Sequence, residues 1–70
     1  MMPLVLATVG EEKIIKKIGG NLKVKRHLEN LGLTPGGAVT IVSKFSGNVI
    51  VKVKESRIAL NEEMARKIFV

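Results

Sequence analysis

Side chains that could perform acid–base or nucleophilic chemistry are scarce in this chain. Its 70 residues include one histidine, His27, and neither cysteine nor aspartate. A serine nucleophile would have to combine Ser43, Ser46 or Ser56 with His27 and a glutamate, and no spacing suggests that group. The chain also lacks the G-x-x-x-x-G-K-[ST] motif that cradles nucleotide phosphates. We therefore expect no enzyme, no catalytic residue and no bound nucleotide.

Side chains that could bind a metal ion are also scarce. Ferrous iron in proteins commonly takes two histidines and one carboxylate as ligands. His27 has no second histidine, and on a helix its face is shared by Asn30 but not by Glu29. Its place beside an apolar stripe favours a partly buried boundary histidine over a ligand. The adjacent acids Glu11-Glu12 and Glu62-Glu63 diverge, so we predict no metal-ligating residue and no cofactor.

The chain is strongly basic, with twelve Lys and Arg against six acids and a net charge of +6. Such a charge indicates an acidic protein partner, a nucleic acid or an anionic membrane surface, or simply a solvated coat that keeps a small protein soluble. There is no Trp or Tyr and only two Phe. This shortage argues against polyproline binding and against base stacking on single strands. Binding of duplex nucleic acid through its phosphates stays open.

One surface combines this charge with an apolar side chain. We predict that an acidic partner contacts the residues Lys23, Lys25, Arg26, Lys44 and Phe45. The first three cluster within one helical turn, where Glu29 can pair with one cation but cannot neutralise them all. Phe45 ends a strand beside a glycine turn. It is either exposed as an anchor or tucked under the turn, and the sequence leaves both possibilities open.

A short helix is the best-specified element. The region from Asn21 to Leu31 places Val24, Leu28 and Leu31 on one helical face, because they are spaced four and then three residues apart. Asn21 is a suitable N-cap, since its side-chain oxygen can accept a hydrogen bond from the first turn. The spacing therefore predicts an amphipathic helix over about residues 21–31.

A tight corner follows that helix. Gly32 can adopt the left-handed conformation that ends a helix, which would bring Leu33 back onto Leu28. The next four residues, Thr34 to Gly37, suit a type II turn, because proline fixes the first central φ and glycine accepts a positive one. A helix, a corner and a strand are thus predicted in succession.

The rest of the sequence predicts several short strands. We predict a strand from Glu11 to Ile18, with Ile14 and Ile18 on one face. A hairpin joins Ala38–Phe45 to Asn48–Lys54 through a Ser46-Gly47-Asn48 turn. A reversal at Glu55-Ser56 leads to a strand over 57–60, and Asn61 then caps a short terminal helix. These elements predict one mostly β domain over residues 1–70, a small bent sheet closed into a barrel of five or six strands.

The apolar positions of these elements predict the core. Its expected members are Ile14, Ile18, Val24, Leu28, Leu31, Leu33, Val39, Ile41, Val51, Val53, Leu60 and Ile68.

The run from Leu28 to Gly36, L-x-x-L-G-L-T-P-G, resembles the signature of the FeoA family. Other pieces follow in the family's order. They are Leu4, Leu6 and Gly10 near the start, Ile14, Ile18 and Gly19-Gly20 before the helix, Ile58-Ala59-Leu60 with Glu63 and Ala65 near the end, and the final Ile68 and Val70. The resemblance covers nearly all of the chain.

This resemblance implies a small SH3-like barrel with one inserted helix and a short C-terminal helix. It also implies a role in bacterial ferrous-iron uptake, as a non-enzymatic cytoplasmic protein that binds and modulates the membrane GTPase transporter FeoB. The alternatives are a small basic nucleic-acid-binding barrel, or a regulatory domain acting with an iron-dependent repressor. We expect no DNA binding and no membrane insertion. The sequence leaves the oligomeric state undecided.

Overall fold

The predicted helix is present in the computed structural model, which describes residues 1–70. Helix α1 spans Leu22–Asn30. The Asn21 side-chain oxygen accepts the Val24 N–H at 2.9 Å, so Asn21 is the N-cap. Leu28 is completely buried, while Val24 and Leu31 are only half-buried against the core. The amphipathic pattern is therefore confirmed, with Leu28 as the residue that fixes the helix to the core, but the predicted burial of Val24 and Leu31 is wrong.

The corner after α1 also follows the prediction. Gly32 has a φ of +93°, its N–H donates to the Glu29 carbonyl at 2.8 Å, and the Leu33 N–H donates to the Leu28 carbonyl at 3.0 Å. These two bonds satisfy carbonyls that the end of a helix would otherwise leave free. Leu33 is consequently buried beside Leu28.

The turn after the corner is linked to a distant residue. The Gly37 N–H donates to the Thr34 carbonyl at 2.9 Å and Gly36 has a φ of +89°, as a type II turn requires. The Gly36 N–H donates to the Ile15 carbonyl at 2.8 Å. The Ile15 N–H in turn donates to the Gly37 carbonyl at 2.8 Å. This pair of bonds, which we call the Ile15 clasp, ties the turn to the first part of the sheet.

Six short strands form two antiparallel sheets. One sheet has the order β1-β3-β4-β5, and β2 pairs with β6 in the other. The strands are β1 (Glu12–Ile14), β2 (Lys17–Ile18), β3 (Ala38–Phe45), β4 (Asn48–Val53), β5 (Ser56–Leu60) and β6 (Ile68–Phe69). A bulge in β3 lies between Ile41 and Ser43, and such bulges bend a strand.

Helix α2 (Glu62–Ala65) starts from Asn61, whose side chain accepts the Met64 N–H at 2.8 Å. The mostly β prediction is confirmed.

The prediction of one continuous strand over residues 11–18 is wrong. β1 pairs with β3, whereas β2 pairs with β6, so the chain passes from one sheet to the other at Ile15 and Lys16. The Lys16 N–H already donates to the Phe69 carbonyl at 2.8 Å. Because this passage interrupts the strand alternation, Ile15 is buried with 1% exposure and Ile14 is 48% exposed. The predicted burial of Ile14 is therefore also wrong.

The first hairpin turn is one residue shorter than predicted, and the second is shifted by one residue. Between β3 and β4 only Ser46 and Gly47 form the loop, both with positive φ, and Asn48 already pairs with Phe45. A two-residue loop of that kind matches the right-handed twist of the flanking strands. The second reversal lies at Lys54 and Glu55, because Val53 pairs with Ser56.

The core extends beyond the predicted positions. The buried residues that the sequence did not indicate are Leu4, Ala7, Ile15, Val49, Ala65 and Val70. Leu4 belongs to a 3₁₀ turn over Leu4–Leu6. Reciprocal hydrogen bonds between Met2 and Val70, at 2.9 and 2.8 Å, hold the two chain ends together beside it. Three residues cannot display a helical period, so periodicity did not place Leu4 in the predicted core. No helix is long and apolar enough to cross a membrane.

We predict that Leu28→Ala lowers the free energy of unfolding by about 2–5 kcal/mol, the range for truncating a buried leucine. Leu22→Ala is the matched control in the same helix, because Leu22 is 60% exposed. Denaturant unfolding followed by circular dichroism measures both. A loss below roughly 1 kcal/mol for Leu28→Ala would show that Leu28 does not anchor the helix.

A second pair tests the passage between the sheets. Ile15→Ala should lower the free energy of unfolding by about 2–5 kcal/mol, and Ile14→Ala by less than about 1 kcal/mol. The two substitutions remove the same atoms from adjacent residues, so the difference reports burial alone. Equal losses in the same unfolding assay would contradict the observed passage.

Candidate functional site

His27 lies on the exposed side of α1. Its predicted position at the boundary of the core is therefore wrong. It lies three residues after Val24 and four before Leu31, and both of those side chains are only half-buried, so the apolar stripe does not extend around the helix as far as His27. No group of three or more His, Cys, Asp or Glu side chains that could hold a metal ion is present.

A groove of about 330 Å³ lies between the β3–β4 hairpin tip, the 3₁₀ turn and α2. We call it the tip groove. Two large apolar side chains line it while facing solvent: Phe45 is 51% exposed and Leu6 is 68% exposed. Of the two positions that the sequence left open for Phe45, the structure has the exposed one.

The walls of the tip groove are held by specific contacts. The Lys44 ammonium donates to the Val5 carbonyl at 2.9 Å and so joins the hairpin to the 3₁₀ turn. On α2, Glu62 forms an ion pair with Arg66, and both residues line the groove. The Glu62 carboxylate lies beside Gly47. Gly47 has a φ of +81°, so the turn conformation favours glycine there.

The predicted helix cations are exposed and unpaired. Lys23, Lys25 and Arg26 form no ion pair, and neither does Glu29, which the sequence indicated as their partner. Lys25 lines a separate groove of about 340 Å³ together with Lys16 and Lys17. We call it the lysine groove.

The predicted contact residues therefore do not share a single groove. Lys44 and Phe45 line the tip groove, Lys25 lines the lysine groove, and the two have no residue in common. Sequence reasoning missed Leu6 in the first groove and Lys16 with Lys17 in the second. The adjacent lysines were a visible signal, but only the tertiary structure brings them beside Lys25.

Known proteins that resemble this chain agree on its family. The family model described as the FeoA domain matches residues 2–70. A candidate Fe(2+) transport protein A of Methanocaldococcus jannaschii is 36% identical over 70 residues, which is 100% of this chain and 85% of that protein.

Two solved structures give the same result for the fold. The crystal structure of an iron uptake regulatory protein (FeoA) superposes with a TM-score of 0.87 and 27% identity, covering 96% of this chain and 89% of the other. The zinc complex of Stenotrophomonas maltophilia FeoA, described as a procaryotic SH3 domain protein, gives a TM-score of 0.84 and 24% identity over 100% of this chain and 89% of the other. The SH3-like fold implied by the resemblance is confirmed, and the chain belongs to the FeoA family.

Proposed function

We propose that this protein is a non-enzymatic, cytoplasmic accessory protein of ferrous-iron uptake that binds and modulates the cytosolic part of a FeoB-type membrane GTPase transporter. The family supports the link to ferrous-iron transport. The single observation that carries the binding role is the tip groove, in which Phe45 and Leu6 are exposed between fixed walls.

Exposed aromatic side chains beside a concave surface are the features of protein-binding anchors. The Lys44–Val5 contact joins the hairpin wall to the 3₁₀ turn before a partner arrives. A preformed groove loses less conformational entropy on binding than a mobile one. An apolar side chain of the partner fits between Phe45 and Leu6, with the Lys44 cation at the rim to attract an acidic neighbour.

The exposed cations of α1 form a second, electrostatic part of the proposed interface. Lys23, Lys25 and Arg26 are unpaired within one turn, so their field is not cancelled locally. Charges of this kind act mainly on the rate of association and its salt dependence. The apolar groove supplies the short-range part of the affinity. The two contributions are therefore separable by experiment.

We predict that Phe45→Ala weakens capture of the purified cytosolic domain of the transporter by roughly tenfold or more, with the salt dependence largely kept. Lys25→Glu/Arg26→Glu should weaken capture and flatten its salt dependence, because the long-range attraction is lost. Binding is measured by a lipid-free pull-down over a series of salt concentrations. Circular dichroism first confirms that each variant is folded.

Two control variants match these changes. Ile14→Ala removes an apolar side chain that is 48% exposed, close to the exposure of Phe45, and lies outside the tip groove. Lys52→Glu/Arg57→Glu changes the net charge as much as the helix variant does, at two exposed, unpaired cations that face each other across β4 and β5.

If the folded test variants bind like wild type, neither surface is the interface. Steep salt-dependent binding to generic duplex DNA instead would favour the nucleic-acid alternative.

We also predict that the isolated protein holds no tight ferrous-iron site, since one histidine cannot supply the usual ligand set. Anaerobic titration calorimetry with ferrous iron should show no stoichiometric binding at micromolar concentration. His27→Ala is the matched variant for the same titration. Stoichiometric binding that His27→Ala abolishes would overturn this prediction and place iron chemistry on the exposed face of α1.

A further inference from the structure

The lysine groove is a concentration of positive charge, and two of its three cations, Lys16 and Lys17, lie outside the proposed interface. Lys16, Lys17 and Lys25 all line it, and none of them forms an ion pair. Glu29 is the only acid in the lining, and it is itself unpaired. Three cations against one acid in a groove of about 340 Å³ leave a net positive site. Concave surfaces lined by one sign of charge concentrate ions of the opposite sign.

An exposed leucine lies next to one of these cations, Lys25. Leu22 is 60% exposed, and on α1 it shares a face with Lys25 and Arg26, which follow it by three and four residues. Leu22 lies at the first position of the helix, where the fold does not cover it. The surface therefore combines cations around a groove with a protruding apolar side chain.

We propose that this surface binds the anionic phospholipid headgroups of a membrane. Basic side chains beside an exposed leucine suit the interface of an anionic bilayer, where cations meet phosphates and apolar side chains enter the acyl boundary. A nucleic-acid backbone offers phosphates but no use for Leu22. The groove also lacks aromatic side chains, because the two phenylalanines of the chain are Phe45 and Phe69 and neither lines it.

This inference goes beyond the proposed function, and it uses a surface that the tip groove leaves free. Lys16 and Lys17 lie on or next to β2 and belong to none of the predicted contact residues. Lys25 and Arg26 belong to both proposed surfaces, so a protein segment can occupy the tip groove, but not the helix cations, while a lipid headgroup is bound. Peripheral attachment of this kind involves no membrane-crossing element.

The test is co-sedimentation with vesicles of phosphatidylcholine with and without phosphatidylglycerol, at physiological salt. Wild type should bind the anionic vesicles and not the neutral ones. Lys16→Glu/Lys17→Glu should weaken that binding by at least about tenfold, because each basic residue near an anionic surface contributes a severalfold factor. Both side chains are exposed and unpaired, so the variant should stay folded.

Lys52→Glu/Arg57→Glu is the charge-matched control, and it should weaken binding by less than about threefold, through net charge alone. Leu22→Ala should weaken vesicle binding by about two- to fivefold, through lost burial of apolar surface. Its matched control, Ile14→Ala, should bind like wild type. An equal effect of the two charge variants would overturn the proposal, since the attraction would then belong to the whole protein.

Two competitors separate the possible sources of phosphate. Millimolar inorganic phosphate should not displace the protein from vesicles, and displacement would show a free-anion site instead. Generic duplex DNA should bind more weakly than the vesicles do. Tighter DNA binding that Lys16→Glu/Lys17→Glu abolishes would identify a nucleic-acid surface and overturn the lipid assignment.

The outcome is independent of the transporter. Lys16→Glu/Lys17→Glu should still be captured by the lipid-free cytosolic domain, whereas Phe45→Ala should lose capture and keep vesicle binding. Failure of vesicle binding with capture intact would overturn the lipid site alone. Failure of capture with vesicle binding intact would overturn the proposed function alone.

Discussion

The Ile15 clasp is the constraint on which much of the architecture depends. Its two backbone hydrogen bonds, both 2.8 Å long, join Ile15 to the Gly36-Gly37 turn. They continue the pairing of β1 with β3 by one residue beyond Ile14, because Ile15 opposes Gly37 in the same register in which Ile14 opposes Ala38. The next residue belongs to the other sheet, where the Lys16 N–H donates to the Phe69 carbonyl. The two sheets are therefore joined between Ile15 and Lys16.

The consequences of that passage extend to both grooves. β6 pairs with β2, and the backbone of Val70 beyond it pairs with Met2, which leads into the 3₁₀ turn. That turn forms one wall of the tip groove and contributes Leu6. On the other side, the passage places Lys16 and Lys17 beside Lys25 of α1. The apolar and the basic surface are thus positioned by the same connection between sheets.

The small core makes each of these connections matter. Fifteen buried residues, all apolar, form one cluster that includes both termini of the chain through Leu4 and Val70. A domain of this size buries a smaller fraction of its surface than a larger one and is correspondingly marginal in stability. No polar or charged residue is buried. Every charged residue therefore lies at the surface, where the groups that we assign to binding are found.

The sequence by itself determined the parts whose signals lie within a few residues of each other. The cap at Asn21, the left-handed Gly32 and the type II turn after it depend on local backbone preferences, and all three are as predicted. The long hairpin and the FeoA signature from Leu28 to Gly36 were recognised for the same reason, because each is continuous in the sequence. Helical spacing likewise placed Leu28 in the core, but it did not distinguish Leu28 from Val24 and Leu31, which are only half-buried.

Only the tertiary structure decided which distant segments meet. The burial of Ile15 rather than Ile14 depends on hydrogen bonds to a turn more than twenty residues away. The alternation of side chains along a strand contains no information about such distant hydrogen bonds. The tip groove joins residues from the start, middle and end of the chain, and the lysine groove joins β2 to α1. Contacts between distant segments depend on the packing of the whole core. No local sequence pattern could therefore have separated the predicted contact residues into two surfaces.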